Sequence, residues 1–344
     1  MKHLQPLVFT SALLSPLIAG CNVHYQSGYH FNYSGETSKY QEEGEIQAHV
    51  KSVVIDHRFG DVHISPIAQG ESPGWRWNLT TWADDHETAK FFMDQVVLET
   101  LTEEGSMSWR LLLPESPGSD LNGVKSILWL SLAEGVEVKL GNAHGDAILQ
   151  GLDGAIETDL SHGDADYSDL TGKLRLRHAH GSVDLSNVQS GRLKLSHGDL
   201  RANGIHDSFQ LKLEHSELEA SQIAKGLQLD MSHSEADLKD LAGAFRFDGS
   251  HSDLMLSGDP ASLVLDGSHT DLEVWCEGDA LNFVEAGFEH GDFDLFLPAG
   301  SNVDGKYHTN HGSASETLSA DPARKLVRVE VNSSHGDFRL RAAD

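Results

Sequence analysis

Cysteine is nearly absent: the 344-residue chain holds Cys21 and Cys276 and no other. That excludes a disulfide-stapled fold. Aromatic residues are also few, 7% against a hydrophobic content of 39%. A core must then be built mostly from Leu, Val and Ala, which suits a narrow apolar axis. Positive charge is scarce, with 25 Lys and Arg against 53 Asp and Glu and a formal net charge of −28. So acidic a chain excludes nucleic acid and anionic lipid as expected partner surfaces, favours solubility and invites cations. Long hydrophobic runs are lacking too. The run Leu7–Ala19 is shorter than the roughly 20 residues that span a bilayer. Phosphate-cradling GxxxxGK loops and GGxGxD calcium repeats do not occur.

What is present begins at the amino terminus. Lys2 precedes the apolar run, as in a secretory signal. The run ends in Leu17-Ile18-Ala19-Gly20-Cys21, which resembles the bacterial lipobox. The resemblance implies cleavage before Cys21, acylation of its sulfur and amine, and, with Asn22 rather than aspartate next, residence at the outer membrane. Two or more acyl chains anchor stably, at about 0.8 kcal/mol per buried methylene. Residues 1–20 carry one base and no acid, so their removal leaves −29. Residues 21–45 are polar with scattered Tyr and read as a tether.

The rest of the chain is organised around a repeated phrase, HGD or a close variant. Its histidines are His144, His162, His180, His197, His215, His233, His251, His269, His290, His311 and His335. The steps between them are 18, 18, 17, 18, 18, 18, 18, 21, 21 and 24. A period of this length points to stacked repeats. Before each histidine every second residue is apolar, as at Phe209, Leu211 and Leu213. After it the alternation resumes with opposite parity, as at Leu218 and Ala220, and one more apolar residue follows eight places on, such as Ile223. Alternation means strands with one buried face, and the parity flip means a turn at the phrase. The expected fold is all-β: a single-stranded parallel β-solenoid of 18-residue coils over residues 136–341. Glycines such as Gly145, Gly163, Gly181 and Gly198 follow the histidine, where a tight bend favours positive φ. Ser216, Ser234, Ser252 and Thr270 stand there in other repeats. Cys276 continues the inward set Leu272 and Val274 and reads as a small buried side chain.

Residues 46–135 read as a mixed capping region. Phe59-Gly60-Asp61 is an early version of the turn, in a first coil placed apart from the others. Residues 75–82 and 126–132 read as strands and 96–113 as a hairpin turning at Glu104-Gly105. Residues 84–95 read as a short helix capped by Asp84 or Asp85. Five of the six tryptophans fall here. They either plug the array's end, as terminal repeats require, or form an aromatic face for glycan or peptide.

With the turns Ser161-His162-Gly163-Asp164, Ser196-His197-Gly198-Asp199 and Ser334-His335-Gly336-Asp337 laid out, the chain resembles a bacterial family known as putative adhesins of β-strand repeats, a domain of unknown function. The resemblance covers roughly residues 46–341. It implies a parallel β-helix-like fold with no established catalysis. The family usually has Ser or Thr before the glycine; this chain has histidine.

Stacked repeats set equivalent residues ~4.8 Å apart, so the histidines form a ladder. Asp146, Asp164, Asp199, Glu217, Glu235, Asp253, Asp271, Asp292 and Asp337 form a second one, interrupted by Ser182 and Ser313. Strand parity extended through the histidine points it inward. One reading of the ladders is structural, with imidazoles and carboxylates satisfying the bent backbone. The other is cation binding: Zn²⁺, Cu²⁺ or Ni²⁺ at His197, His215, His233, His251 and His269, or Ca²⁺ at the carboxylates. A third is a pH response, since buried neutral imidazoles must charge near pH 5–6. Ser, His and Asp recur in every repeat, so no distinct catalytic cluster stands out. Inward gaps of five and four, not six, separate the repeat from hexapeptide acyltransferases. The sequence therefore describes an exported, lipid-anchored envelope protein with a structural or adhesive role and neither enzyme activity nor cofactor. Its expected partners are the membrane, through the lipid, and an envelope protein or glycan. A cation-binding lipoprotein is the alternative.

Overall fold

A computed structural model describes residues 33–114 and 121–343. Cys21 and the signal read at 1–20 lie outside them. Among the described residues are 25 strands and one helix, joined in a single sheet network. Residue 36 onward departs from the expected tether: Glu36–Glu45 is a strand, antiparallel to Gly74–Ala83.

The repeats pair in parallel at their own period. Leu193 lies beside Leu211, Leu211 beside Leu229 and Leu229 beside Phe247. Like stacks on like because each repeat offers the same inward residues to the same neighbours. Inside, Phe209, Phe245, Phe247, Phe293 and Phe338 are at most 1% exposed among Leu and Val. Each such burial stabilises by about 1.5–3 kcal/mol. Cys276 joins this core, and burial pushes its thiol up to about 12.

The strand connections correct the expected architecture. Val183–Ser196 pairs with both Asp199–Ile205 and Phe209–Glu214. Those continue through Glu217–Ile223 and Gly226–Ser232 respectively, and both paths meet again on Glu235–Ser250. Six parallel strands thus close a ring of hydrogen bonds. The fold is a closed six-stranded parallel barrel with further strands, not a single-stranded β-solenoid. The sequence reading divided every repeat into separate short strands. Instead, strands of 14 and 16 residues run through the arms and join them.

Two further placements differ from expectation. The turn Phe59-Gly60-Asp61 is not apart from the repeats: Ser52–Asp56 pairs with Glu137–His144, and Asp61–Pro66 with Ala147–Gln150. At the other end, Asn302–Asn310 and Ala314–Glu316 lie outside Leu326–Ser334 and Phe338–Ala343. The spatial order there is 290, 335, 311, so the last two repeats are stacked out of sequence order.

The amino-terminal region follows its local signals. The helix His86–Met93 is capped by Asp85, whose carboxylate accepts from the Thr88 amide, and buries Ala89 and Phe92. Val97–Glu103 and Ser106–Leu112 form the hairpin. Trp75, Trp77 and Trp109 are buried, while Trp82 and Trp129 are half-buried. The Trp77 indole donates to Ser126 Oγ at 2.8 Å, and the same oxygen lies 2.9 Å from Nε2 of His57.

Candidate functional site

The eleven repeat histidines form one continuous stack. Neighbouring ring centroids are 4.7 to 5.2 Å apart from His144 to His290, then through His335 to His311. Ten of the eleven side chains are exposed and His144 is half-buried, so the inward orientation expected from parity is overturned. The backbone gives the reason. From His197 onward the histidine itself takes a left-handed conformation, with φ between +52 and +61°. That rotation reverses the parity there and turns the ring out; His162 and His180 are exposed without it, the positive φ falling on Gly163 and Gly181. Histidine is among the few non-glycine residues enriched in this region.

Two turn chemistries alternate along the stack. At Gly145, Gly163 and Gly181 the glycine carries the positive φ, between +114 and +130°. There Asp146 Oδ1 accepts the Asp164 amide at 2.9 Å, and Asp164 Oδ1 accepts the Ser182 amide at 2.9 Å. The carboxylate–amide bonds alone return at Asp271, Asp292, Asp337 and Ser313, where the histidine and not the following residue holds the positive φ. In the middle the histidine carries the bend, so the next residue needs no positive φ and serine is admitted. Ser234 Oγ accepts the Ser216 amide at 3.0 Å and donates to the Ser232 carbonyl. Ser182 and Ser313, which seemed interruptions of the acidic series in sequence, are therefore ends of carboxylate–amide chains.

The imidazoles are held by their own repeats. Nδ1 of His233, His251 and His335 shares a hydrogen bond at 3.0 Å with the hydroxyl of Ser232, Ser250 or Ser334, and His269 with Ser268 at 3.2 Å. On one side Glu217, Glu235, Asp253 and Asp271 run in register. On the other run Asp230, Asp248 and Asp266.

The rings of His197, His215, His233, His251 and His269, where the metal reading falls, stack with centroids 4.7 to 5.0 Å apart. Among the described residues no group of three or more His, Cys, Asp or Glu is placed to hold a metal.

The sequence reading missed a second left-handed column. Gly151, Asp169, Asn187, Gly204, Gln222 and Asp240 each follow a repeat histidine by seven places and have φ between +53 and +77°. Gly, Asp and Asn recurring there was the available signal. It also missed an internal polar cluster. His178 occupies the inward position that Leu160 and Leu195 fill in adjacent repeats. Both its ring nitrogens are buried without a well-formed hydrogen bond, with only a weak pull from the Gly163 backbone, and the buried hydroxyls of Thr158 and Tyr167 have only each other. Burial lowers the His178 pKa and raises that of Tyr167. His178→Leu removes the desolvated ring and restores the neighbours' residue, so we expect a gain of about 1–3 kcal/mol. Urea denaturation checks it; a loss of stability would show that His178 is satisfied.

No described protein family matches the chain, and no curated protein matches it. Solved structures similar to it include a "putative adhesin" from Parabacteroides distasonis, at 10% identity and TM-score 0.30, covering 90% of this chain and 98% of that one. Another "putative adhesin", from Bacteroides fragilis, has 8% identity and TM-score 0.27, covering 88% and 97%. A "putative lipid binding protein" from Parabacteroides distasonis has 10% identity and TM-score 0.26, covering 88% and 96%. Likeness at these values carries no functional argument.

Proposed function

We propose that this chain is exported, lipid-anchored through Cys21, and displays its β-array at the bacterial envelope as a non-catalytic structural or adhesive element. One observation carries the reading: the outward face repeats the same groups in register, with eleven imidazoles in one stack. A surface that offers one chemistry many times suits multivalent contact rather than a single reaction centre, which needs an unrepeated cluster. The lipobox-like Leu17–Cys21 supplies the anchor.

The experiment is metabolic labelling with an alkyne-palmitate in a Gram-negative host, followed by fractionation. The full chain should take up label and enter the outer-membrane fraction. Cys21→Ser should do neither. An unlabelled wild-type chain, or equal labelling of both, would overturn the anchoring.

A further inference from the structure

The positive charge of this acidic chain is not spread evenly. A groove of about 820 Å³ runs along the strands that precede the histidines. Lys139, Lys173, Arg175, Arg192, Lys225 and Arg246 line it, against two carboxylates, Glu137 and Glu157. Cations outnumber acids three to one there, while acids outnumber cations two to one in the chain. Arg175 and Arg192 are direct cross-strand partners, an arrangement that costs stability unless an anion lies between or beside them. Arg175 meets Glu157 only at 3.5 Å, Arg192 donates to the neutral Gln210, and Lys139, Lys173 and Arg246 have no ion pair among the described residues, while Lys225 is paired with Asp207 at 3.2 Å. One margin of the groove is low: Ser190, Ser208, Gly226, Ala244 and Ser262 line it. A chain-like ligand can approach the backbone there.

We infer that this groove binds a linear acidic polysaccharide, one carrying uronate carboxylates. Charge density selects that occupant. Lys139, Glu157, Arg175, Arg192, Gln210, Gln228 and Arg246 are successive partners, so they span about 29 Å at ~4.8 Å per step. With Lys225 neutralised by Asp207, the groove's excess of three cations over that length is about one per 10 Å. That suits a polymer with a carboxylate every sugar or two. Duplex DNA, with a charge every ~1.7 Å, would meet mostly the field of a −28 chain. Single-stranded nucleic acid also wants exposed aromatic platforms, and the groove's Phe209 and Phe245 are 1% exposed.

The inference rests on the display reading only for what the binding serves. The test uses the purified full chain and affinity electrophoresis through gels containing polygalacturonate, its methyl ester, or a single-stranded oligodeoxynucleotide. The wild type should be retarded by polygalacturonate, less so as salt rises, and by neither of the others. Arg175→Glu/Arg192→Glu/Arg246→Glu should bind at least about tenfold more weakly. Arg58→Glu/Lys90→Glu/Arg110→Glu, of equal charge change outside the groove, should lose far less. No retardation of the wild type, equal retardation by the methyl ester, stronger retardation by the oligonucleotide, or equal loss in both variants would each overturn the inference. Circular dichroism of both variants keeps unfolding from passing as lost binding. Anchoring measured by palmitate labelling and fractionation would be untouched by such a failure, so the two readings fall separately.

Discussion

Gly163→Val is expected to cost the folded chain about 3–5 kcal/mol, among the largest effects of any single outward-turn substitution. Two penalties combine. Gly163 sits at φ +114°, which a β-branched residue reaches only with strain of about 1–3 kcal/mol. A side chain there would also meet the backbone of Gly145: its Cβ would lie 2.6 Å from the carbonyl carbon and press on the carbonyl oxygen. Overpacking of that kind costs typically 1–3 kcal/mol more. Gly145 cannot retreat without losing the bond from its amide to the His162 carbonyl at 3.1 Å. The corresponding change two turns into the middle section, Ser234→Val, lacks the φ penalty because His233 holds the left-handed residue there, at +52°. It loses chiefly the Ser234 hydroxyl bonds, worth about 1 kcal/mol each. Thermal denaturation of the two variants reads the difference. Equal losses would mean that the two turn chemistries do not exist.

Acid is expected to remove about 3 kcal/mol of stability between pH 6.5 and 4 through His57 alone. His57 is fully buried, between the Gly60 carbonyl and Ser126. Burial lowers its pKa from 6.5 to about 4, against a smaller upward pull from the Gly60 carbonyl. The folded chain therefore keeps the ring neutral where the unfolded chain has already taken a proton. Stability is full above pH 6.5 and falls as pH drops to 4, at about 1.4 kcal/mol per unit of pKa difference. His178, the half-buried His63 and His144, and, at the surface, His162 shift in the same direction for the same first cause. Urea midpoints at pH 7, 5.5 and 4 measure the loss, and His57→Asn should flatten the curve while lowering its plateau. A midpoint independent of pH over that range would remove His57 from the buried, neutral position.

Much of this molecule is legible in its sequence because each repeat is a local signal sent many times. The inward residues Leu193, Leu211 and Leu229 announce themselves by alternation, and the histidine marks the bend. The helix cap at Asp85 and the hairpin at Glu104-Gly105 need only neighbours a few places away. The orientation of the histidines was not legible. Parity counting assumes extended backbone, and one left-handed residue at His233 or His251 inverts the count. Closure of the sheet was not legible either, because it depends on whether Val183–Ser196 and Glu235–Ser250 run unbroken through their bends, which periodicity does not encode. The basic groove was hidden for a different reason. Arg175, Arg192 and Arg246 are far apart in a chain dominated by acid, and only the register brings them into line.

In-register parallel pairing of successive repeats underlies the stack, the groove and the turn chemistry together, and spin-label distances test it most directly. One nitroxide at Lys139→Cys is paired in turn with one at Gln210→Cys, Gln228→Cys or Arg246→Cys, in a chain whose own cysteines are replaced by Cys21→Ser and Cys276→Ala. The pairing predicts mean distances near 19, 24 and 29 Å, growing by ~4.8 Å per repeat. Distances that fail to increase from one repeat to the next would contradict it.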